Sequence, residues 1–171
     1  MINSTKKTYN YFIIAASFFI ALLATFIDLP SWADWIYPEF LDIVLLYWIY
    51  TSYAYVNIGS AFLIGVVLDI ILDTPIGEHA LVLILAAYFI IKFNSKIQVL
   101  DFEKKLLVIF GLIFWCQFAP LLIQFCLGQS SFFWLSLTKI FVKTLSGTLL
   151  WLVLPILLNI KKRINLEIRH Q

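Results

Sequence analysis

Two histidines and two cysteines are the residues of this 171-residue chain best suited to nucleophilic or metal chemistry. Cys116 and Cys126 lie in apolar surroundings and form no CxxC pair. His79 follows Glu78, but adjacent helical positions do not face each other, and His170 lies near the C-terminus. Nucleophilic catalysis needs a nucleophile, a base and a group that orients the base, and metal-ligand spacings such as HExxH do not occur. We therefore expect no catalytic, metal or cofactor site, and no enzyme.

The composition places these few polar residues in an apolar background. Apolar residues make up 63% of the chain and charged residues 13%, against about 45–50% and 25% in soluble domains. A net charge of +2 offers little phosphate neutralisation, so nucleic acid is not expected as a partner. The high aromatic content also excludes a disordered chain. The sequence predicts an all-α integral membrane protein.

Six apolar runs predict six transmembrane helices in a single polytopic domain, 1–171. Bounded by charges, Pro, Gly and Asn, the runs are 11–27, 41–53, 56–72, 76–91, 106–127 and 132–160. Leu41–Leu72 is nearly continuous, but one helix of that length would measure about 48 Å, too long for a core of about 30 Å. We therefore expect a break around Thr51–Asn57. The first run is interpreted as an uncleaved helix rather than a signal peptide, because no A-x-A site precedes the polar turn.

The basic residues predict the orientation of these helices. Ten of them lie before the first run, between the fourth and fifth, or after the sixth, whereas loops 28–40, 73–78 and 128–131 contain none. By the positive-inside rule, both termini are cytoplasmic. A five-helix alternative would place the basic C-terminus outside.

The third run carries a polar and small-residue series at intervals of four. Its members are Asn57, Ala61, Gly65, Asp69 and Asp73. Neighbours in such a series share one helix face, and the Ala61-xxx-Gly65 pair permits close approach of another helix. The series is either a packing seam inside the bundle or a docking surface for a helix of another protein.

Two lysines in the last run suggest an ion pair within the membrane. Lys139 and Lys143 are one turn apart, at a depth comparable with Asp69 and Asp42. Because buried charges are costly when unpaired, Lys139 is predicted to pair with Asp69, Asp42 or Asp73. The alternative is that both lysines extend to the outer interface.

The fifth run carries two glutamines on one face. Gln117 and Gln124 are seven residues apart, with Pro120 between them. Hydrogen bonding between helices is the ordinary interpretation of such residues. A polar pathway for a substrate is the alternative.

Residues over about 40–90 carry a family resemblance. Leu45-Leu46-Tyr47-Trp48 is followed by Val56-Asn57-Ile58-Gly59, by Gly65-Val66-Val67-Leu68-Asp69-Ile70 and by Pro75-Ile76-Gly77. This pattern resembles the MreD family of rod shape-determining proteins. The resemblance makes Asn57, Gly59, Gly65, Asp69 and Gly77 candidates for packing or partner binding. Lys139 and Lys143 lie outside it.

The resemblance also implies a function and a fold. MreD-like proteins are non-enzymatic members of the cell-elongation machinery in the bacterial inner membrane. They associate with the bitopic protein MreC, and through it with MreB, RodA and a class B penicillin-binding transpeptidase. Their fold is similar to the solute-binding subunits of energy-coupling-factor transporters, so a small solute-binding transporter subunit is the alternative function. The basic clusters at 92–105 and 161–169 could also contact anionic membrane lipid.

Overall fold

The computed structural model describes residues 2–27, 30, 35–126, 128 and 133–158. Within these ranges the chain forms six α-helices and no strand, so the predicted all-α class is confirmed. The helices are α1 (Ile2–Thr25), α2 (Phe40–Ser52), α3 (Ile58–Ile71), α4 (Glu78–Val99), α5 (Phe102–Cys126) and α6 (Phe133–Leu158).

Length and composition identify the helices that can cross a membrane. In the described part of the chain, α4, α5 and the Ser136–Pro155 portion of α6 are long and apolar enough to do so. The apolar portions of the other helices are shorter: Tyr11–Thr25, Phe40–Ser52 and Ile58–Ile71. Large apolar side chains such as Phe12, Ile70 and Leu107 are exposed on the outside of the bundle, as is typical of a surface that faces lipid.

Helix α2 is the centre of the bundle. Every residue from Leu41 to Ile49 is buried, and α2 contacts α1, α4, α5 and α6. A helix that is hydrophobic on all sides is typical of a protein core or a membrane span, and the contacts of α2 with four other helices place it in the core of this bundle. On one side, the Trp48 indole donates a hydrogen bond to Ser17 Oγ of α1, at 2.8 Å.

The break between α2 and α3 falls where the sequence analysis placed it. Helix α2 ends at Ser52 and α3 begins at Ile58. Asn57 caps α3: its Oδ1 accepts from the Gly59 amide at 3.0 Å, and its own amide donates to Ser60 Oγ at 2.8 Å. Such reciprocal bonds satisfy amides that the first helical turn leaves unpaired. Asn57 and Gly59 are exposed and lie at the start of α3, so they do not belong to the buried face of this helix.

Three helices extend beyond the apolar runs that predicted them. Helix α1 begins at Ile2, α4 continues past Ile91 to Val99, and α5 begins at Phe102 rather than Leu106. Charged residues end the hydrophobic pattern but not the helix, because lysine is a good helix former. At the end of α4, the charge of Lys96 also favours the helix C-terminus. The charged segment 92–105, which lies between the fourth and fifth apolar runs, is therefore mostly helical.

Helices α3 and α4 approach each other closely at Gly65. Ala61 and Gly65 are buried on α3, and a Cβ added at Gly65 would overlap the backbone of Ala80. Glycine is thus required by the distance between the two backbones, as in small-xxx-small helix pairs. The inner face of the third run packs within the bundle.

Replacing Gly65 tests this contact. Gly65→Ala should lower the free energy of unfolding by about 1–3 kcal/mol, the usual cost of overpacking a core, measured by thermal unfolding of the purified protein in detergent. Gly111→Ala is the matched control, because a Cβ there would meet nothing within 4 Å. Equal melting temperatures for the two variants would contradict the close contact.

Candidate functional site

The turn between α3 and α4 is built around the carboxylate of Asp69. Asp69 Oδ1 accepts from the His79 amide and from His79 Nδ1, both at 2.8 Å, and from Thr74 Oγ1 at 3.2 Å. Asp69 Oδ2 accepts from the Gly77 amide at 2.7 Å. Only 1% of Asp69 is exposed, so this carboxylate accepts four hydrogen bonds while almost fully buried.

The local sequence explains why α4 needs this carboxylate. Its N-cap residue, Gly77, has a φ of 102° and no side chain to cap the helix. Glycine adopts this left-handed backbone at little cost, but the first amides of α4 then need an acceptor from elsewhere. Asp69, at the end of the preceding helix, supplies the acceptor together with a negative charge that the helix N-terminus favours.

A second buried acid connects the same turn to α5. Glu78 Oε1 accepts a hydrogen bond from Gln124 Nε2 at 2.8 Å. Glu78 is the first residue of α4, and Gln124 lies in the last turn of α5. The interhelical hydrogen bond predicted for the glutamines is thus present at Gln124.

Two further buried polar groups carry unsatisfied acceptors. Both carboxylate oxygens of Asp42 and Oε1 of Gln117 are buried without a hydrogen-bond partner among the described residues. Asp42 lies in the first turn of α2, and Gln117 lies on α5.

A cavity of about 250 Å³ lies beside the turn. Its wall is formed by residues of α5 and α6, the segment preceding α2, and the α3–α4 turn. We call it the polar cavity. Its most polar lining residues are Glu39, His79, Gln117, Gln124, Lys139 and Lys143.

The structure separates the residues of the predicted series. Ala61, Gly65 and Asp69 are buried against or next to α4. Asp73 lies beyond the end of α3, where it is exposed with a φ of 53°, so it is not part of the buried face. The structure brings Asp69 and Gly77 together: the Gly77 amide donates a hydrogen bond to the Asp69 carboxylate. Partner binding by these residues stays a prediction.

The predicted lysine partner of Asp69 is replaced by a histidine. The ion pair that Asp69 makes in the described structure joins its Oδ1 to Nδ1 of His79, at 2.8 Å. Lys139 instead places Nζ 5.3 Å from the ring centroid of Trp35. Depth in the membrane was the basis of the lysine prediction, but depth does not specify the direction in which a side chain points. Asp69 points toward the amides of α4, and those donors occupy both oxygens.

His79, Thr74 and Glu78 were missed as members of this site. Glu78 was set aside as a partner of His79 because adjacent helical positions do not face each other, and the actual partner, Asp69, lies ten positions upstream. A usable signal was present: a helix that begins after a glycine has no capping side chain at its N-cap, so its first amides need an acceptor from another segment.

The Asp69–His79 pair does not form a recognisable catalytic group. The Thr74 hydroxyl lies 3.3 Å from Nδ1, the same nitrogen that bonds Asp69, whereas a triad nucleophile bonds the opposite ring nitrogen. Across the described ranges, no group of three His, Cys, Asp or Glu residues could hold a metal ion. The cluster is arranged to hold a turn.

These features define an all-helical membrane protein whose buried polar residues connect helices. Comparison with known proteins identifies its family: the chain belongs to the MreD family. The family model for the rod shape-determining protein MreD matches residues 5–161. The rod shape-determining protein MreD of Haemophilus influenzae (strain ATCC 51907 / DSM 11121 / KW20 / Rd) is 30% identical over 165 residues, which cover 95% of this chain and 99% of that protein. No solved structure matches the chain. The resemblance noted in the sequence is confirmed, and membership supports a rod-shape-determining role.

The role of Asp69 can be tested by making the same Asp→Asn substitution at Asp69 and, as a control, at Asp73. Asp69→Asn removes the charge and turns one acceptor into a donor that faces other donors. We expect it to lower the free energy of unfolding by about 2–3 kcal/mol, measured by thermal unfolding in detergent. Asp73→Asn makes the same change at an exposed turn residue with a positive φ that asparagine tolerates, so its effect should stay within about 0.5 kcal/mol. Equal stability of both variants would contradict the capping role.

Proposed function

We propose that this protein is a non-enzymatic scaffold of the cell-elongation machinery in the bacterial inner membrane. It would maintain rod shape by binding the bitopic protein MreC, and through it would help to organise MreB, RodA, a class B penicillin-binding transpeptidase and peptidoglycan synthesis. The carrying observation is family membership over residues 5–161. The hydrogen bonds that join α3, α4 and α5 support a structural use of the buried polar residues.

The proposal includes a topology of six membrane crossings with both termini in the cytoplasm. Three helices have the length and composition to cross. The shorter apolar helices α2 and α3 are packed inside the bundle or against α4, where neighbouring helices can offset a short apolar length. The distribution of ten basic residues supports the orientation. Similarity to the energy-coupling-factor subunit fold stays part of this proposal.

Binding of a small solute by a transporter subunit is the alternative function. The polar cavity of about 250 Å³, with its charged and amide side chains, is the observation that supports this alternative. Saturable, tight binding of a soluble small molecule to the purified protein would favour the transporter subunit instead.

A partner helix needs an exposed surface, because the Ala61–Gly65 face of α3 is occupied by α4. We place a single-span partner in the groove between α4 and α5, which has a volume of about 510 Å³ and is lined by Leu85, Ala86, Phe89, Leu107, Val108, Gly111, Leu112 and Trp115. Gly111 is small and exposed, and the space beside it is open. Within a bilayer, such sites let two helix backbones approach and gain van der Waals contact.

Thiol labelling tests the topology. Cys126 is exposed at the end of α5, and Cys116 is buried. A membrane-impermeant maleimide should label Cys126 from the outside of intact spheroplasts. In the Cys126→Ala background, a cysteine introduced at the exposed Asp101 should be labelled only after lysis. The reverse pattern would contradict the proposed orientation.

Filling the groove tests partner binding. Gly111→Phe should reduce co-purification of an affinity-tagged MreC by about tenfold, the equivalent of 1.4 kcal/mol, because the ring occupies the space of the partner helix. The added side chain meets no atom of this chain near Cβ, so the melting temperature should stay close to that of the original protein. Gly111→Ala and Leu149→Phe, on another exposed face, are the matched controls. Undiminished co-purification with Gly111→Phe would exclude the groove, and no co-purification with the unmodified chain would exclude the partner.

A further inference from the structure

Two cavities adjoin at the end of the bundle that contains the α3–α4 turn. Beside the polar cavity lies a second one of about 280 Å³, which we call the side cavity. Apolar side chains make up much of its wall: Ile27, Phe40, Leu41, Leu68 and Leu72. The two cavities share Glu39, Leu72 and Lys143. A ligand with a polar end and an apolar end could therefore extend from one into the other.

The polar cavity contains side chains of both charge signs. Lys139 and Lys143 lie on one turn of α6, and Glu39 precedes α2. Two cations suit an anionic group such as a phosphate, while the carboxylate of Glu39 suits a cationic donor. This arrangement fits a zwitterion better than a simple anion.

Gln117 provides a second, independent indication of a ligand. The residue is 7% exposed and lines the polar cavity, and its Oε1 has no hydrogen-bond partner among the described residues. A buried acceptor without a donor costs about 1–3 kcal/mol, so a donor in the cavity would stabilise it.

The position along the helices favours a lipid over a soluble ligand. Lys139 and Lys143 lie about 9 Å and 15 Å along α6 from its first residue, at 1.5 Å per residue. Measured from Ser136, where the apolar portion of α6 that can cross the membrane begins, Lys139 lies about 5 Å and Lys143 about 10 Å inside the hydrocarbon core. Long lysine side chains reach from such depths toward phosphates.

We propose that the polar cavity binds the headgroup of phosphatidylethanolamine. The phosphate contacts Lys139 and Lys143, the ammonium donates to Glu39 and to Gln117 Oε1, and the glycerol with the first acyl carbons enters the side cavity. Phosphatidylcholine has no N–H donor, and phosphatidylglycerol has no cation for Glu39. The proposal rests on the membrane crossing of α6 proposed above, but not on partner binding.

Native mass spectrometry of the full chain, released from detergent with defined lipids, tests this assignment. At equal lipid concentration, retention of phosphatidylethanolamine should exceed retention of phosphatidylcholine by about tenfold, the effect of a charge-assisted hydrogen bond. Phosphatidylglycerol should be retained less than phosphatidylethanolamine, and Glu39→Gln should remove that difference.

Variants separate the two halves of the headgroup. Gln117→Leu should bring the retention of phosphatidylethanolamine down toward that of phosphatidylcholine, while the fold persists because an unsatisfied buried acceptor has been removed. Lys139→Met with Lys143→Met should reduce retention of all three lipids. Lys104→Met, at an exposed lysine outside the cavity, is the control and should change nothing.

Three outcomes would overturn the proposal. They are equal retention of the three lipids by the unmodified chain, an unchanged lipid preference in Gln117→Leu, and retention of free phosphoethanolamine as strong as that of the lipid. Because no partner is present in the experiment, failure here leaves the MreC co-purification result unaffected, and failure of that co-purification leaves the lipid result unaffected.

Discussion

The rest of the described bundle depends on one carboxylate that caps a helix from the helix before it. Helix α4 begins directly after Gly77, a glycine with a positive φ, so the chain can reverse direction sharply but has no N-cap side chain to receive the first amides. Asp69 receives them, and because it also bonds the His79 ring, the turn closes over a buried ion pair. The same turn presents Glu78 to Gln124 of α5. Below it, Gly65 lets α3 and α4 pack at backbone distance. Without the carboxylate, several buried donors would lose their acceptor at once, which is among the costliest changes in an apolar environment.

Features encoded by composition and local periodicity could be predicted from the sequence. The all-α class, the break near Asn57 and the need for a small residue at position 65 follow from hydropathy, capping residues and intervals of four. Features that depend on the direction of a side chain could not. The distance between Asp69 and His79 is set by the path of the α3–α4 turn. The contacts of Lys139 are set by the rotation of α6 about its own axis. The hydropathy pattern also predicted that the fourth helix ends before Lys92, but α4 continues to Val99. Lysine is a good helix former, so a helix can continue beyond the apolar layer.

A structural use of buried polar groups is consistent with membership of the MreD family. In the proposed scaffold, the inner face of α3 is occupied within the chain, and the α4–α5 groove is the surface offered to a partner. The polar cavity is the proposed binding site for a lipid headgroup, which is independent of the partner. In these proposals, the protein presents two different recognition surfaces, one for a helix and one for a lipid. Destabilising the turn should impair both surfaces together, whereas changes at Gly111 or Gln117 should affect one surface each.

Hydrogen exchange at single amides tests the central claim about the turn most directly. In the purified protein, the amides of Gly77 and His79 donate to Asp69, so they should exchange as slowly as amides in the interior of α4. Ile76, next to Gly77 and 80% exposed at the tip of the turn, provides the internal comparison and should exchange much faster. Slow exchange at Gly77 and His79 that becomes fast in Asp69→Asn is the predicted result. Exchange of these two amides at the rate of Ile76 in the unmodified protein would contradict the account.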